Sequence, residues 1–195
     1  MENHFIRALI LCVSLCAVWP AHARAQSDYP RIETGVQLTA LVLDSPVNGG
    51  GLGLGARFGY NLTNHFGLEG EINRFPGAGT LNAPNLSVTD GLFGVKAGLL
   101  ARDTGVFLKA RPGFIHFPRN GDLQARGLTH LDHFVFDVGF VGERYFPNHL
   151  FVRLDLSNTL LTFGNEHVTD TVTGRFTRIG TRNNATLAIG FGVYF

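Results

Sequence analysis

From residue 32 onward, apolar residues trade places with polar or small ones at a period of two. That is the repeat of a β-strand, whose successive side chains point to opposite faces. Eight segments carry the alternation, approximately 32–42, 52–60, 66–75, 92–100, 106–115, 134–144, 150–158 and 185–195. Split by parity, one face reads Val36, Leu38, Ala40, Val42 in the first segment and Leu52, Leu54, Ala56, Phe58, Tyr60 in the second. It continues in the same style through Phe93, Val95, Leu99, Leu108, Phe114, Phe134 and Phe140 to Leu154, Leu156, Ile189, Phe191 and Phe195. None of these positions is charged. The other face carries Gln37, Thr39, Arg57, Glu69, Glu71, Asn73, Lys96, Lys109, Arg111, Asp137, Glu143, Arg153, Asp155, Ser157 and Thr186, with many glycines between them.

Alternation alone does not say which face is inside. A soluble barrel of the lipocalin kind turns its apolar face inward, and an outer-membrane barrel turns it to lipid. Three features favour lipid. The polar face is rich in Gly, which helps where long side chains must lie across a crowded interior. The apolar face is dense in Phe and Leu, with no small or polar residues to shape a ligand cavity. The connections also alternate in length: Asn61–His65, Ala101–Gly105 and Tyr145–His149 are short, and those after the odd-numbered segments are longer, growing to about 159–184. Short turns on one side and long loops on the other are the outer-membrane pattern, with both termini on the periplasmic side. The expected fold is all-β: an eight-stranded antiparallel up-and-down transmembrane β-barrel. A barrel of eight strands has an interior just filled by side chains. Pro112 cannot donate to a ladder, so a local bulge is expected there.

The N-terminus differs. Arg7 precedes an apolar run from Ala8 to Trp19, Pro20 breaks it, and Ala23-Arg24-Ala25 supplies small residues at the two positions a signal peptidase needs. A signal peptide over 1–25 is expected, cleaved after Ala25 with Ala23 the fallback, followed by a barrel domain over 26–195. Cys12 and Cys16 are each preceded by Leu, which argues against lipoprotein processing, and both would leave with the signal. The mature chain would then hold no thiol. Removing Arg7, Arg24 and Glu2 leaves fourteen basic and fourteen acidic residues. No later segment has about 18 consecutive apolar residues, so a spanning helix is not expected. Only 16% of the chain is charged, against about 25% in soluble domains, and a lipid-facing half that admits no charge accounts for the deficit. A balanced charge also offers no footprint for nucleic acid.

The last segment ends Gly190-Phe191-Gly192-Val193-Tyr194-Phe195. A C-terminal Phe closing an alternating strand resembles the signal by which bacterial outer-membrane barrels are recognised for assembly, which makes Tyr194 and Phe195 the assembly-signal residues. Gly91-Leu92-Phe93-Gly94-Val95-Lys96-Ala97-Gly98, Lys109-Ala110-Arg111-Pro112-Gly113-Phe114 and Val152-Arg153-Leu154-Asp155 are similar to the OmpA-like and OmpX-like small barrel families. The resemblance covers essentially the whole mature chain and implies a bacterial outer-membrane location. It also implies periplasmic chaperones and the barrel assembly machinery as partners, lipids and lipopolysaccharide as surroundings, and a monomer. The alternation runs to Phe195 with no peptidoglycan-binding domain after it, so no cell-wall tether is expected.

The polar face holds the main candidate chemistry. Arg57, Lys96, Lys109, Arg111 and Arg153 could line an ion or solute pathway, or they could pair with Glu69, Glu71, Asp137, Glu143 and Asp155 in a closed plug. Buried charges must be paired and a small lumen has little room for water, so the plug is the expectation. Asp155-Leu156-Ser157-Asn158 resembles the His-x-Ser-Asn strand motif of outer-membrane lipid A deacylases, in which the His activates the Ser. Here Asp155 stands where the His would be, and its parity points it with Ser157 into the lumen. No catalytic residue is therefore expected, and Asp155 is expected to pair with Arg153 or Lys109. His130, Asp132 and His133, with His116 nearby, lack a fourth defined ligand and fit rim histidines better than a metal site. Neither a metal nor a cofactor is implied. Arg175, Arg178 and Arg182 are candidates to contact lipopolysaccharide phosphates, although Glu166 and Asp170 share their loop. Gly49–Gly55 lacks the Lys-Ser/Thr of a phosphate loop and is expected to let the first hairpin bend. The functional expectation is a structural or surface-interaction protein displaying four extracellular loops, with a narrow channel as first rival and a lipid-modifying enzyme as second.

Overall fold

The computed structural model describes residues 29–43, 49–76, 79–80, 87–118, 131–164, 167–169, 176–178 and 180–195. Eight long strands dominate it: β1 (Ile32–Leu43), β2 (Gly49–Asn61), β3 (Phe66–Phe75), β4 (Val88–Ala101), β5 (Thr104–His116), β6 (Asp132–Tyr145), β7 (Leu150–Thr162) and β8 (Thr181–Tyr194). Each pairs antiparallel with its neighbour in the chain, and β8 pairs with β1 to close the sheet. Gly79–Thr80 adds two residues beside β2, and His167–Thr169 pairs with Phe176–Arg178 in a separate ribbon.

The register fixes the shape. Lateral partners lead from Ile32 through Tyr60, Leu68, Val95, Ala110, Val138, Asn158 and Ala185, and re-enter β1 at Val42, ten residues beyond the start. Eight strands with that stagger tilt about 40° from the barrel axis, the usual range for a small closed barrel. Closure leaves none of the eight long strands with an unpaired edge, which is the condition for crossing hydrocarbon.

The strands extend past the expected segments mainly at the long-loop end. There Thr162 pairs with Thr181 and Leu160 with Asn183, so the ladder continues where apolar alternation has stopped. The short turns are Leu62–His65, Arg102–Asp103 and Phe146–His149. The second is tighter than the expected spacer because Ala101 pairs with Thr104. Arg102 (φ 57°) and His149 (φ 62°) take the left-handed conformation to reverse the chain there.

Exposure decides which face is inside. Leu54 is 71% exposed and Phe191 65%, whereas Lys96 and Asp137 are 0% exposed. A soluble barrel would show the reverse. Arg74 and Arg144 share the outward parity and are exposed, so that face is not wholly uncharged. Both sit at strand ends, where the cost of a charge on a lipid-facing wall is lowest. Arg144 is paired there, with Nη1 2.9 Å from Oδ1 of Asp103 and Nη2 2.8 Å from its Oδ2.

No bulge forms at Pro112. Phe93 and Gly94 of β4 are unpaired opposite it, but Leu92 pairs with Gly113 and Val95 with Ala110, so the register is the same on both sides. On its other side Pro112 still stands opposite Phe136. Its missing N–H is met by a two-residue gap in one ladder, not by an inserted residue. Gly49–Gly55 is part of β2.

Gly94 shows what the inward glycines do. A Cβ added there would lie 2.7 Å from Cα of Arg111, a separation that only backbone movement could relieve. Gly142, by contrast, faces outward with nothing within 4 Å of an added Cβ. Gly94→Val should therefore lower the unfolding free energy of the vesicle-embedded barrel by about 1–3 kcal/mol, measured by urea titration, while Gly142→Ala leaves it nearly unchanged.

Candidate functional site

The interior is built in layers because each strand contributes alternate residues to it at several heights. At the long-loop mouth the layer is apolar: Leu41, Leu43, Phe75, Val88, Leu92, Ile115, Phe117, Val135, Leu161 and Phe163 form one buried cluster. His133 packs into it, its ring 5.7 Å from Phe117 and 4.8 Å from Phe163. Leu41, Ile115 and Val135 have the inward parity of their expected segments, and Leu161 lies past the expected end of its segment at 158; being apolar, none of them carries the polar signal that marks the inner face.

Below the mouth lies an amide layer. Gln37 Nε2 donates to Oδ1 of Asn73 at 2.8 Å and Thr39 Oγ1 donates to the same atom at 3.2 Å. Asn73 Nδ2 in turn donates to Glu71 (3.0 Å) and Asp90 (2.8 Å).

The charged layer fills the centre. Arg111 reaches Asp137 through Nε and Nη2 (3.0 and 2.7 Å), and through Nη1 it reaches Glu69 (3.1 Å) and Glu71 (2.5 Å). Arg153 grips Glu69 with both ends of its guanidinium, Nη1 to Oε2 at 2.8 Å and Nη2 to Oε1 at 3.1 Å. The same group touches Glu143 at 2.8 Å and Asp155 at 2.8 Å. Such two-pronged contacts are the strong form of the ion pair, because the planar fork matches the carboxylate. Lys109 contacts Asp137 at 2.9 Å and also contacts Asp155. Asp155 thus meets both Arg153 and Lys109.

Toward the short-turn end, Lys96 Nζ sits between Glu33 and Glu143 at 3.1 and 2.8 Å, over the Phe107 ring at 4.7 Å. Arg57 is held more loosely, 3.4 to 3.7 Å from Glu69, Glu33 and Glu143, with its guanidinium 5.6 Å from the Phe151 ring centre. The Tyr145 hydroxyl lies 2.5 Å from Glu33 and 2.6 Å from Glu143, and its single proton serves one carboxylate at a time. Asn61 Nδ2 donates to Glu33 at 2.6 Å.

Strand register explains part of this arrangement. Arg111 stands laterally opposite Asp137, and Glu143 opposite Arg153. Lys96 stands opposite Lys109, a like-charge pairing that is unfavourable on one face of a sheet. The two ammonium groups diverge, Lys96 toward Glu33 and Glu143, Lys109 toward Asp137 and Asp155.

All ten charged residues singled out on the polar face are turned inward with buried side chains. Their balance of five against five is not that of the interior, because Glu33 and Asp90 are buried there too. Both have the inward parity of their strands; Glu33 precedes the first residue read on that face, and Asp90 precedes the segment beginning at 92. The two extra carboxylates rely partly on neutral donors, Asn61 and Tyr145 for Glu33 and Asn73 for Asp90.

Other candidates fall elsewhere. His116 faces outward and its Nδ1 is 2.7 Å from Asp132, while His133 faces inward, so the two histidines stand on opposite sides of the wall. Among the described residues no group of three or more metal-ligating side chains converges. His130, Glu166, Asp170, Arg175 and the signal segment lie outside the described residues, as does the side chain of Arg178. Arg182 is half-buried with the inward parity of Asn184, turned away from the surface a lipid would reach. Tyr194 packs edge-on against Tyr145 at 5.3 Å and its hydroxyl donates to the Phe146 carbonyl at 2.8 Å; Phe195 is exposed.

Residues 8–195 match the family model described as outer membrane protein beta-barrel domain. Among solved structures the chain is similar to Ail, the attachment invasion locus protein of Yersinia pestis, at 13% identity over 85% of this chain and 97% of that one, TM-score 0.40. It is also similar to the outer membrane protein OprG from Pseudomonas aeruginosa (11%, 87% and 99%, TM-score 0.49) and to Neisserial surface protein A (12%, 84% and 96%, TM-score 0.47). A comparison with curated proteins gave no match.

Removing one partner of a buried ion pair strands the others, whereas an exposed pair is worth little. Arg153→Leu should cost about 3–5 kcal/mol of unfolding free energy and Arg144→Leu, at the exposed Asp103 pair, under about 1 kcal/mol, both measured by urea titration in vesicles.

Proposed function

Because the chain belongs to the outer membrane protein beta-barrel domain family, we propose that it works as a closed, salt-bridged pedestal in the bacterial outer membrane that presents four loops for surface interaction. The four connections concerned are those of residues 44–48, 76–87, 117–131 and 163–180, all at the end opposite the short turns. In this reading a cleaved signal sends the chain through the inner membrane. Periplasmic chaperones and the barrel assembly machinery then insert it, with Tyr194 and Phe195 as the assembly signal. Arg175 and Arg178 are the loop residues proposed to meet lipopolysaccharide phosphates.

The observation that carries the reading is the filled interior. An aqueous path would have to pass the apolar cluster around Phe75 and Leu161 and then the layer of Arg111, Arg153, Glu69 and Glu143. Opening that layer would break several buried ion pairs at once, which is far costlier than moving one loop. Catalysis at Asp155–Asn158 is disfavoured for the same reason: Asp155 is engaged by Arg153 and Lys109, and it stands where an activating base would have to be.

Insertion of the purified, folded barrel into planar bilayers tests the pedestal against the narrow channel. A closed pedestal gives no discrete conductance steps at any applied voltage that the bilayer survives. Reproducible ohmic steps that scale with protein concentration would replace it with the channel.

A further inference from the structure

A depression of about 640 Å³ indents the outer wall where β5, β6, β7, β8 and β1 lie side by side. It exists because small outward residues, Ala40, Ala185 and Asn158, stand among the bulkier Leu108, Phe140 and Leu187. Its size is in the range of sites that hold small molecules, but it opens onto the membrane-facing surface.

Ser157 and Thr186 in its lining face inward; its one outward-facing polar residue, Asn158, and the alanines beside it depart from the expectation of a face without small or polar residues. Asn158 is exposed on the outward parity, four residues inside the end of β7, and its side chain has no hydrogen-bond partner among the described residues. The other outward-facing polar residues nearby form a line from it to the rim. Asn183 stands opposite Leu160, one step toward the long-loop end, and Thr181 pairs with Thr162 at the rim, their hydroxyls 3.4 Å apart. An amide in hydrocarbon needs a partner, and here only the membrane can supply it.

We propose that this depression seats one acyl chain of lipopolysaccharide, with Asn158 and Asn183 hydrogen-bonding the oxygens at the head of that chain. The proposal rests on the outer-membrane reading above. The shape and polarity of the depression select this occupant. The polar line runs from the depression to the long-loop end, so an amphiphile lying along it keeps its head toward the outer leaflet. A second copy related by a two-fold axis would bring the same concave patch against itself and leave a void. A phospholipid carries its carbonyls together at the glycerol, whereas the lipopolysaccharide chain bears amide, hydroxyl or ester oxygens at successive depths, as Asn183 and Asn158 are arranged. Of the Asp155–Asn158 stretch, Leu156 and Asn158 face this depression, so the stretch contributes to lipid binding through its outward residues.

The test is native mass spectrometry of the full barrel after incubation with phosphatidylethanolamine vesicles with and without lipopolysaccharide, then transfer to mild detergent. Wild type should retain one lipopolysaccharide molecule. Ala185→Phe, which fills the depression, should lose about tenfold in retained lipopolysaccharide, equivalent to about 1.4 kcal/mol. Asn158→Leu, which keeps the shape and removes the amide, should lower it in the same direction, and Ala97→Phe on the outward face of β4 should leave it unchanged. Equal retention by wild type and Ala185→Phe would overturn the site, as would retention of phosphatidylethanolamine in its place, or a two-copy species that Ala185→Phe abolishes. Gel mobility before and after boiling separates the two levels. Loss of the mobility difference in wild type would defeat the barrel itself, while an intact difference with equal retention would defeat only the lipid site.

Discussion

Five guanidinium and ammonium groups sealed inside a strand wall have no bulk water to turn to, so each must be met by a carboxylate at hydrogen-bond distance. That requirement ties strands together across the lumen. Arg153 on β7 holds Glu69 on β3, Arg111 on β5 holds Glu69 and Glu71, and Lys96 on β4 joins Glu33 on β1 to Glu143 on β6. These contacts span the interior, whereas backbone ladders join only neighbours. They also need space, and inward glycines such as Gly67 and Gly59 supply it, because a Cβ there would meet the side chains of Lys96 and Glu33.

The ion layer is protected at both ends. The cluster around Phe75, Val135 and Leu161 covers it at the loop end, and Phe107, Phe151 and Tyr145 pack beneath it. A low-polarity surround strengthens every paired contact and makes every broken one more costly. The outer wall has the opposite task. Its Leu and Phe residues need no partner in lipid, and among them Asn158 is an amide whose partner must come from the membrane.

Most of the architecture was legible because a lipid-facing strand leaves a strong period-two signal. Strand number, alternation of loop lengths and the inward parity of the central charges all follow from it. Strand ends were less legible. Thr162 with Thr181, and Leu160 with Asn183, continue a ladder after apolar alternation has ended, because backbone bonding does not need apolar side chains. The expected bulge at Pro112 was wrong for a related reason. A missing donor can be absorbed by leaving Phe93 and Gly94 unpaired in one ladder while keeping register in both. The interior was only partly legible. Parity assigns a residue to a side of the wall but does not say which charges meet, and Lys96 opposite Lys109 shows that lateral neighbours need not be partners. The apolar mouth and the two extra carboxylates, Glu33 and Asp90, lay on the right parity but at the margins of the segments.

Side-chain ion pairs across the lumen, and not the backbone ladders alone, hold this barrel shut. A double-mutant cycle on Arg153 and Glu69 tests it most directly, because the two residues sit on strands that are not neighbours in the sheet and form a two-pronged contact. Unfolding free energies of wild type, Arg153→Leu, Glu69→Leu and the double variant would be measured by urea titration in vesicles. A coupling of about 2 kcal/mol or more is predicted, near the upper end for residues sharing a network. Additive single-variant effects, with coupling near zero, would contradict the claim and leave the ladders as the sole support.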